Sequence, residues 1–356
     1  MVQYPGAGGP LPRAATIASI ASAACIACTA SAASAASAQE SVQVFGVIDT
    51  FLQATHTGRS VATAIDSSGL YGTRWGIKGS EDLGGGLRVE FVLEQGFKSD
   101  TGASADPARM FSRQSWVGIG GAAGQLRIGR QNALMFLNEG RLDAFVGASM
   151  GSGLNNFSTY TVRTDKTVSY FSPAFGPLRF QLYYGFGTSG GARSANGSYS
   201  GAVNYDRDKL HLALVHQAVR NALDTDTQKA WYAGGSYEFG KVTAYAVYHR
   251  AKAVAAQVDK DVVSLSARYF LTAATSVGAG YSWLKDNGSR RSDAAQLGTI
   301  LVHQLSKRTQ LYATLSWLDN RNVGNYTLNG AAVAGLPLAY PGADARGLQL
   351  GIVHFF

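Results

Sequence analysis

From Leu70 onward the side chains change character at every second residue, and this alternation returns in segment after segment as far as the final residue, Phe356. Tyr71, Thr73, Trp75 and Ile77 fall on one side, with Arg74 and Lys78 on the other beside Gly72 and Gly76. After the turn Glu81-Asp82-Leu83-Gly84-Gly85-Gly86 the pattern resumes: Leu87, Val89, Phe91 and Leu93 oppose Arg88, Glu90 and Glu94. A period of two is the geometry of a strand whose faces meet different surroundings. No apolar stripe of helical period runs beyond two turns outside the N-terminal segment, so helical folds are excluded early.

Turn signals divide the chain into about sixteen strands, enough for a closed outer-membrane barrel. They start near Val42, Leu70, Leu87, Arg109, Gln125, Thr167, Leu178, Tyr199, Leu210, Lys229, Val242, Val262, Thr275, Ala294, Gln310 and Arg346. Short connections such as Asp206-Arg207-Asp208-Lys209 alternate with long ones such as Asn320 to Ala345, the asymmetry of barrels with short periplasmic turns and long outer loops. Pro107, Pro173, Pro177, Pro337 and Pro341 all fall in connections, where no ladder hydrogen bond is lost. A soluble sandwich also alternates, but its water-facing side is charged. Here only 15% of residues are charged, many alternate positions are Gly, Ser or Ala, and aromatics gather at strand ends. In lipid only helices and closed barrels satisfy their own backbone. The expected fold is therefore an all-β, transmembrane antiparallel barrel.

The uncharged stretch between Arg13 and Glu40 ends in Ala36-Ser37-Ala38, the pattern of a secretory signal peptide, and assigns residues 1–38 to a leader and 39–356 to the barrel. Cys25 and Cys28 lie inside that leader, so the exported part is free of cysteine. The net charge of +8 is spread without any Lys/Arg block, which argues against nucleic acid as a partner. Phe356, with Ile352, Leu350 and Leu348 at alternate positions behind it, is the arrangement of a last strand presented to barrel-assembly machinery.

Particular strings resemble the Gram-negative general diffusion porins of the beta-proteobacterial type. Ser41-Val42-Gln43-Val44-Phe45-Gly46-Val47-Ile48-Asp49 is similar to that family's first strand, and Thr73 through Leu87 with Leu93-Glu94-Gln95-Gly96-Phe97 to its most distinctive segment. Phe111-Ser112-Arg113-Gln114, Ile128-Gly129-Arg130-Gln131, Tyr170-Phe171-Ser172-Pro173 and Leu305-Ser306-Lys307-Arg308-Thr309 follow in family order. The resemblance implies a sixteen-stranded outer-membrane barrel, a homotrimer among outer-membrane lipids, that passes small hydrophilic solutes and ions passively and without a cofactor. The segment from about Asn132 to Asp165 corresponds to a loop that folds into the lumen and narrows it.

By phase and by that match, the wall cations of the constriction are Arg74, Lys78, Arg88, Arg113 and Arg130, with Glu139 and Asp143 of the loop placed to face them. A ring of Arg and Lys in a low-dielectric wall favours anions. The same residues could instead pair with neighbouring carboxylates and simply hold the loop. The family's arginine before Tyr-x-Ser-Pro is replaced by Ser169, with Arg163 and Lys166 nearby but out of register. Gly147-Ala148-Ser149-Met150-Gly151 matches the nucleophile-elbow string without the strand and helix that chemistry needs. The six histidines are scattered and make no metal pattern. Two rivals to the general pore are a barrel lipase or protease, and a substrate-specific channel or adhesin barrel.

Overall fold

A computed structural model describes residues 41–146, 148–187 and 195–356; the leader expected over 1–38 lies outside them. The chain runs β1 (Ser41–His56), β2 (Val61–Ser67), β3 (Arg74–Gly84), β4 (Leu87–Gly96), β5 (Gln114–Gly121), β6 (Gly124–Asn132), then the short helices α1 (Leu134–Glu139) and α2 (Gly153–Phe157). It continues through β7 (Arg163–Phe171), β8 (Leu178–Gly185), β9 (Ser198–Arg207), β10 (Leu210–Arg220), β11 (Thr227–Phe239) and β12 (Val242–Ala253). The last five are β13 (Val258–Phe270), β14 (Thr275–Asp286), β15 (Ala294–Gln304), β16 (Thr309–Asn320) and β17 (Ala345–Phe355).

All these segments belong to one antiparallel sheet, and β17 pairs with β1 from Val47↔Phe355 to His56↔Arg346, closing it. The other edge of β1 is shared: its last residues pair with β2 and its first with β3. β2 and β3 are thus two halves of one stave, interrupted at residues 68–73, and the barrel has sixteen staves. The expected start at Leu70 falls in that interruption, and the one expected at Arg109 falls in the loop before β5. Asp49 explains the break. Its buried carboxylate accepts the backbone N–H groups of Leu70 (2.6 Å) and Tyr71 (2.7 Å) and the Tyr312 hydroxyl (2.9 Å), drawing the segment into the lumen.

Burial is inverted relative to a water-soluble barrel. Leu52 and Leu315 are 57% and 58% exposed on the outer face, while the inner Gln296 and Thr314 are 1% and 0% exposed. That is the pattern of a wall with lipid outside. Tyr184, Tyr199, Trp231, Tyr248, Trp283 and Trp317 stand out at one end of the barrel, and Phe175, Tyr237, Phe239 and Tyr269 at the other. On β11 the two belts are separated by about 20 Å, taking ~3.3 Å per residue and a tilt of ~40°. The tight turns, including Gly84-Gly85-Gly86 with φ of +78°, +61° and +80°, lie at the second end. The long connections 97–113, 133–162 and 321–344 lie at the first, which is the outer side by the asymmetry of such barrels.

Loop 133–162 lies inside the barrel. Leu134, Met135, Leu142 and Leu154 pack on Tyr183, Ala202, Ala213, Val215 and Tyr232, and Ala144 and Phe145 on Ile300, Val302 and Tyr312. The wall has been kept small to receive it: a Cβ on Gly298 would lie 1.9 Å from the Gly151 carbonyl oxygen. Loop 321–344 also turns inward, donating from Ala331 and Ala332 to the carbonyls of Gly69 and Ser68 and from Asn329 to Asn156. The interrupted stave and the two loops therefore brace one another.

Candidate functional site

The helices of the inner loop contact β9, β10 and β13–β15, so the loop covers that arc and leaves the inner face of β3–β6 uncovered by helix. The bare arc carries arginines. On β3 the side chains of Arg74 and Lys78 point inward on either side of Gly76, and Arg74, Gly76 and Lys78 lie opposite Gly96, Glu94 and Val92 of β4. Arg113, at the end of loop 97–113, donates from Nε to Glu94 Oε1 at 2.6 Å, and Arg74 Nε is 3.5 Å from Glu94 Oε2. Arg74 also donates to the Gly72 carbonyl at 2.8 Å, and the missing side chain at Gly72 makes room for the Arg113 guanidinium. One carboxylate thus holds two guanidinium groups against the wall.

Two further arginines join this group: Arg127, which was not singled out from sequence, and Arg163, which was expected to lie out of register. Arg127 on β6 points inward opposite Gly118 and Ser169, with its guanidinium carbon 4.3 Å from the ring centres of both Trp116 and Phe171. Such stacking fixes the plane of the cation without neutralising it. The alternation Gln125-Leu126-Arg127 was the available signal. Arg163, at the outer end of β7, lies 5.7 Å from the Phe136 ring and within electrostatic range of Arg113, Glu94, Arg130 and Arg74. Its buried Nε has no hydrogen-bond partner, and the same holds for Arg74 Nε. Ser169 faces inward at the position of the family's arginine and donates instead to Gln131. Across the lumen, Arg268 on β13 lies within electrostatic range of Tyr71 and Tyr245.

The remaining expected residues are not gathered here. Lys78 and Arg88 are inward in phase but lie toward the short-turn mouth, where Lys78 sits 5.5 Å from the Phe45 ring and Arg88 pairs with Glu90 at 3.2 Å. Arg130 departs from expectation. A bulge between Gly129 and Gln131 shifts the register, and Arg130 donates to the Ser112 carbonyl and pairs with Asp165, which Arg109 also engages. It secures loop 97–113 rather than joining the Glu94 group.

Glu139 and Asp143 do not face the wall cations either. Glu139 accepts from the hydroxyls of Tyr160 and Tyr232, the latter at 3.2 Å, and Asp143 from Ser152, from Ser266 at 3.1 Å and from the Phe145 N–H at 3.4 Å. Both carboxyls are turned into the seam between loop and wall. Burial there pushes Glu139 up to about 8 and Asp143 up to about 6. Both carboxyls hold the loop in place, and Glu139 in its protonated form offers little negative charge to the lumen.

Ser149 of the nucleophile-elbow string is buried and accepts the Gly151 N–H, and among the described residues no group of His, Cys, Asp and Glu could hold a metal. Phe356 exchanges backbone hydrogen bonds with Gly46 at 3.0 and 3.2 Å, extending the closing seam of the barrel.

A model of the Gram-negative porin family matches residues 21–323. An outer membrane porin of Delftia acidovorans is 31% identical over 342 residues, covering 89% of this chain and 95% of the relative. One from Bordetella pertussis is 32% identical over 253 residues, covering 60% and 64%. Among solved structures, an anion-selective porin from Comamonas acidovorans superposes with a TM-score of 0.76 at 26% identity, over 89% of this chain and all of that one. An outer membrane protein of Vibrio cholerae, at 16% identity and a TM-score of 0.68, shares the fold.

Proposed function

The chain belongs to the Gram-negative porin family, and from that premise we propose that its pore favours small anions through the arginine wall around Glu94. It is a passive diffusion channel of the outer membrane. Its lumen narrows between the inner loop on one arc and the guanidinium groups on the other.

One observation carries the selectivity: Arg74, Arg113 and Arg163 share a single carboxylate, Glu94, and Arg127 beside them is stacked on Trp116 and Phe171 without an ion pair, while the acids of the loop are turned away. Unneutralised guanidinium groups beside a narrow aqueous path lower the energy of a passing anion and raise that of a cation. The group sits where the inner loop restricts the path, so a solute cannot avoid it. Arg163 takes over, from the strand end, part of the charge that Ser169 lacks. Phosphate, sulfate and small carboxylates fit this chemistry, because guanidinium forks match their oxygens. In this reading the chain performs no catalysis. The functional unit in this reading is a homotrimer; an outer membrane protein of Vibrio cholerae that shares the fold is described in a trimer form.

The test is the zero-current potential of the reconstituted protein across a tenfold KCl gradient. A sign corresponding to chloride preference is expected. A potassium preference would overturn the arginine-wall reading, and absence of conductance would overturn the pore itself.

A further inference from the structure

With Glu139 and Asp143 turned into the seam, the lumen side of the inner loop is left to apolar groups. On α1, Leu134, Met135, Asn138 and Glu139 are buried, and the helix rests on β9 and β10. Phe136 and Leu137 are half-buried on the same helix, so the surface it turns to the lumen is apolar. Arg141, just beyond the helix, is engaged by Asp206.

Phe136 adjoins the arginine group directly. The guanidinium carbon of Arg163 lies 5.7 Å from the Phe136 ring centre, and Arg163 is within electrostatic range of Arg113, Glu94 and Arg74. The buried Nε of Arg163 has no hydrogen-bond partner, so this guanidinium is not saturated by the protein. Near Arg74 stands a second half-buried ring, Tyr71, which packs edge-on against Phe355 at 5.2 Å. Trp116 and Phe171 differ from both, because they are buried and their rings are taken by the Arg127 guanidinium.

The narrow path thus has two chemically different sides, guanidinium groups on the wall and ring and aliphatic surface on the loop. An inorganic anion uses only the first. A carboxylate carried on a planar apolar body uses both: its oxygens take a guanidinium fork while its ring lies against Phe136. Charge alone cannot separate acetate from benzoate, since each carries one carboxylate. Covering roughly 40 Å² of apolar surface favours benzoate about fivefold.

We propose that the constriction selects carboxylates bearing an aromatic ring over compact anions of the same charge, with Phe136 as the residue that determines this specificity. The selection rests on the arginine-wall reading and adds to it a preference that charge by itself does not produce. Leu137 extends the apolar surface along the helix. Arg163 supplies the cation nearest to the ring, so the carboxylate and the ring of one solute meet their partners together.

The experiment measures, for the reconstituted protein in planar bilayers at neutral pH, the concentrations of benzoate and of acetate that halve the chloride current. Benzoate should act at about fivefold lower concentration than acetate in the native protein. In F136A the two concentrations should become equal. F136L keeps apolar bulk without a ring and should retain about half of the benzoate advantage, which carries the test where F136A does not fold by gel shift. Benzamide, which has the ring without the charge, should not block. Equal action of benzoate and acetate on the native protein overturns the proposal, as does a native benzoate-to-acetate ratio in both variants. Block by benzamide at the benzoate concentration overturns recognition by charge and ring together. A potassium preference of the native protein across the KCl gradient overturns the arginine wall itself. With chloride preference intact, the benzoate-to-acetate ratio judges the ring alone.

Discussion

Replacing Glu94 by Gln should make the pore more anion-preferring, although the changed group lies buried behind the arginines. Glu94 is 4% exposed and holds Arg113 at 2.6 Å and Arg74 at 3.5 Å. The amide keeps the shape and removes one negative charge. For an ion passing about 6 Å away in a water-like dielectric of about 80, that charge is worth roughly 0.7 kcal/mol. A Debye length of about 10 Å at 0.1 M salt cuts this to roughly 0.4 kcal/mol. Chloride gains that amount and potassium loses it, so the chloride-to-potassium permeability ratio should rise about fourfold. In 1 M salt, where the Debye length is about 3 Å, the effect should almost vanish. The assay is the reversal potential of E94Q against the native protein at both mean salt concentrations. Because leaving buried cations unpaired costs about 3–5 kcal/mol, refolding is checked by the heat-dependent gel shift of the barrel. R163Q provides the opposite-sign companion at a position outside that ion pair. A ratio that falls or stays constant in E94Q at low salt would refute the electrostatic reasoning.

Three further outcomes follow from the braces of the lumen. Glu139 is raised by burial from an ordinary 4.5 to about 8, so the loop is held best in the protonated form: this stabilisation is complete below about pH 4.5 and is lost as pH rises through 8. Open-channel current noise should therefore grow between pH 6 and 9 in the native protein and much less in E139Q, whose remaining titrating neighbours are Asp143, Tyr160 and Tyr232; a pH-independent native trace would contradict this. G298A places a methyl carbon against the Gly151 carbonyl and should push the loop off the wall, changing single-channel conductance while leaving the barrel folded by gel shift. D49N removes charge-assisted acceptance of the Leu70 and Tyr71 N–H groups, each such bond being worth about 1.5–3 kcal/mol. It should lower the temperature of the gel shift and increase closures, and unchanged values of both would show that the stave interruption does not depend on Asp49.

Strands were legible because lipid and lumen impose opposite demands on alternate residues. β4, β8, β10, β12, β14 and β15 begin at Leu87, Leu178, Leu210, Val242, Thr275 and Ala294, where their alternation begins. The break at 68–73 was not legible, because Tyr71 and Thr73 continue the period of Trp75 and Ile77. What interrupts the stave is a carboxylate on a different strand, Asp49, and that contact leaves no mark in local periodicity. Arg74 and Arg113 could be named from phase and resemblance. Arg163 is noticeable in the sequence but reads as out of register, since it sits at a strand end where the chain is leaving the barrel wall and the period of two no longer reports direction.

The same reasoning accounts for the two largest departures. A period of two carries inward and outward assignments along a strand only while no residue is inserted, and a single bulge reverses every assignment beyond it. The partner strand β7 carries such a point opposite Arg130: Thr164 to Thr167 spans one residue more than Gln131 to Gly129, with Lys166 at φ +50°, and Asp165 inside that stretch is the residue Arg130 pairs with. Glu139 and Asp143 fail for a different reason. Charge complementarity across a lumen is attractive on paper, but it competes with the need to anchor a loop of some thirty residues inside a water-filled barrel. Tyr160, Tyr232, Ser152 and Ser266 supply hydroxyl donors to the two carboxyls at the seam. Hydroxyls satisfy a carboxyl in either protonation state, whereas an arginine partner would tie the loop to the wall it must leave open. Turning the acids into the seam thus does two things together: it fastens the loop, and it leaves the guanidinium wall with Glu94 as its close counter-charge.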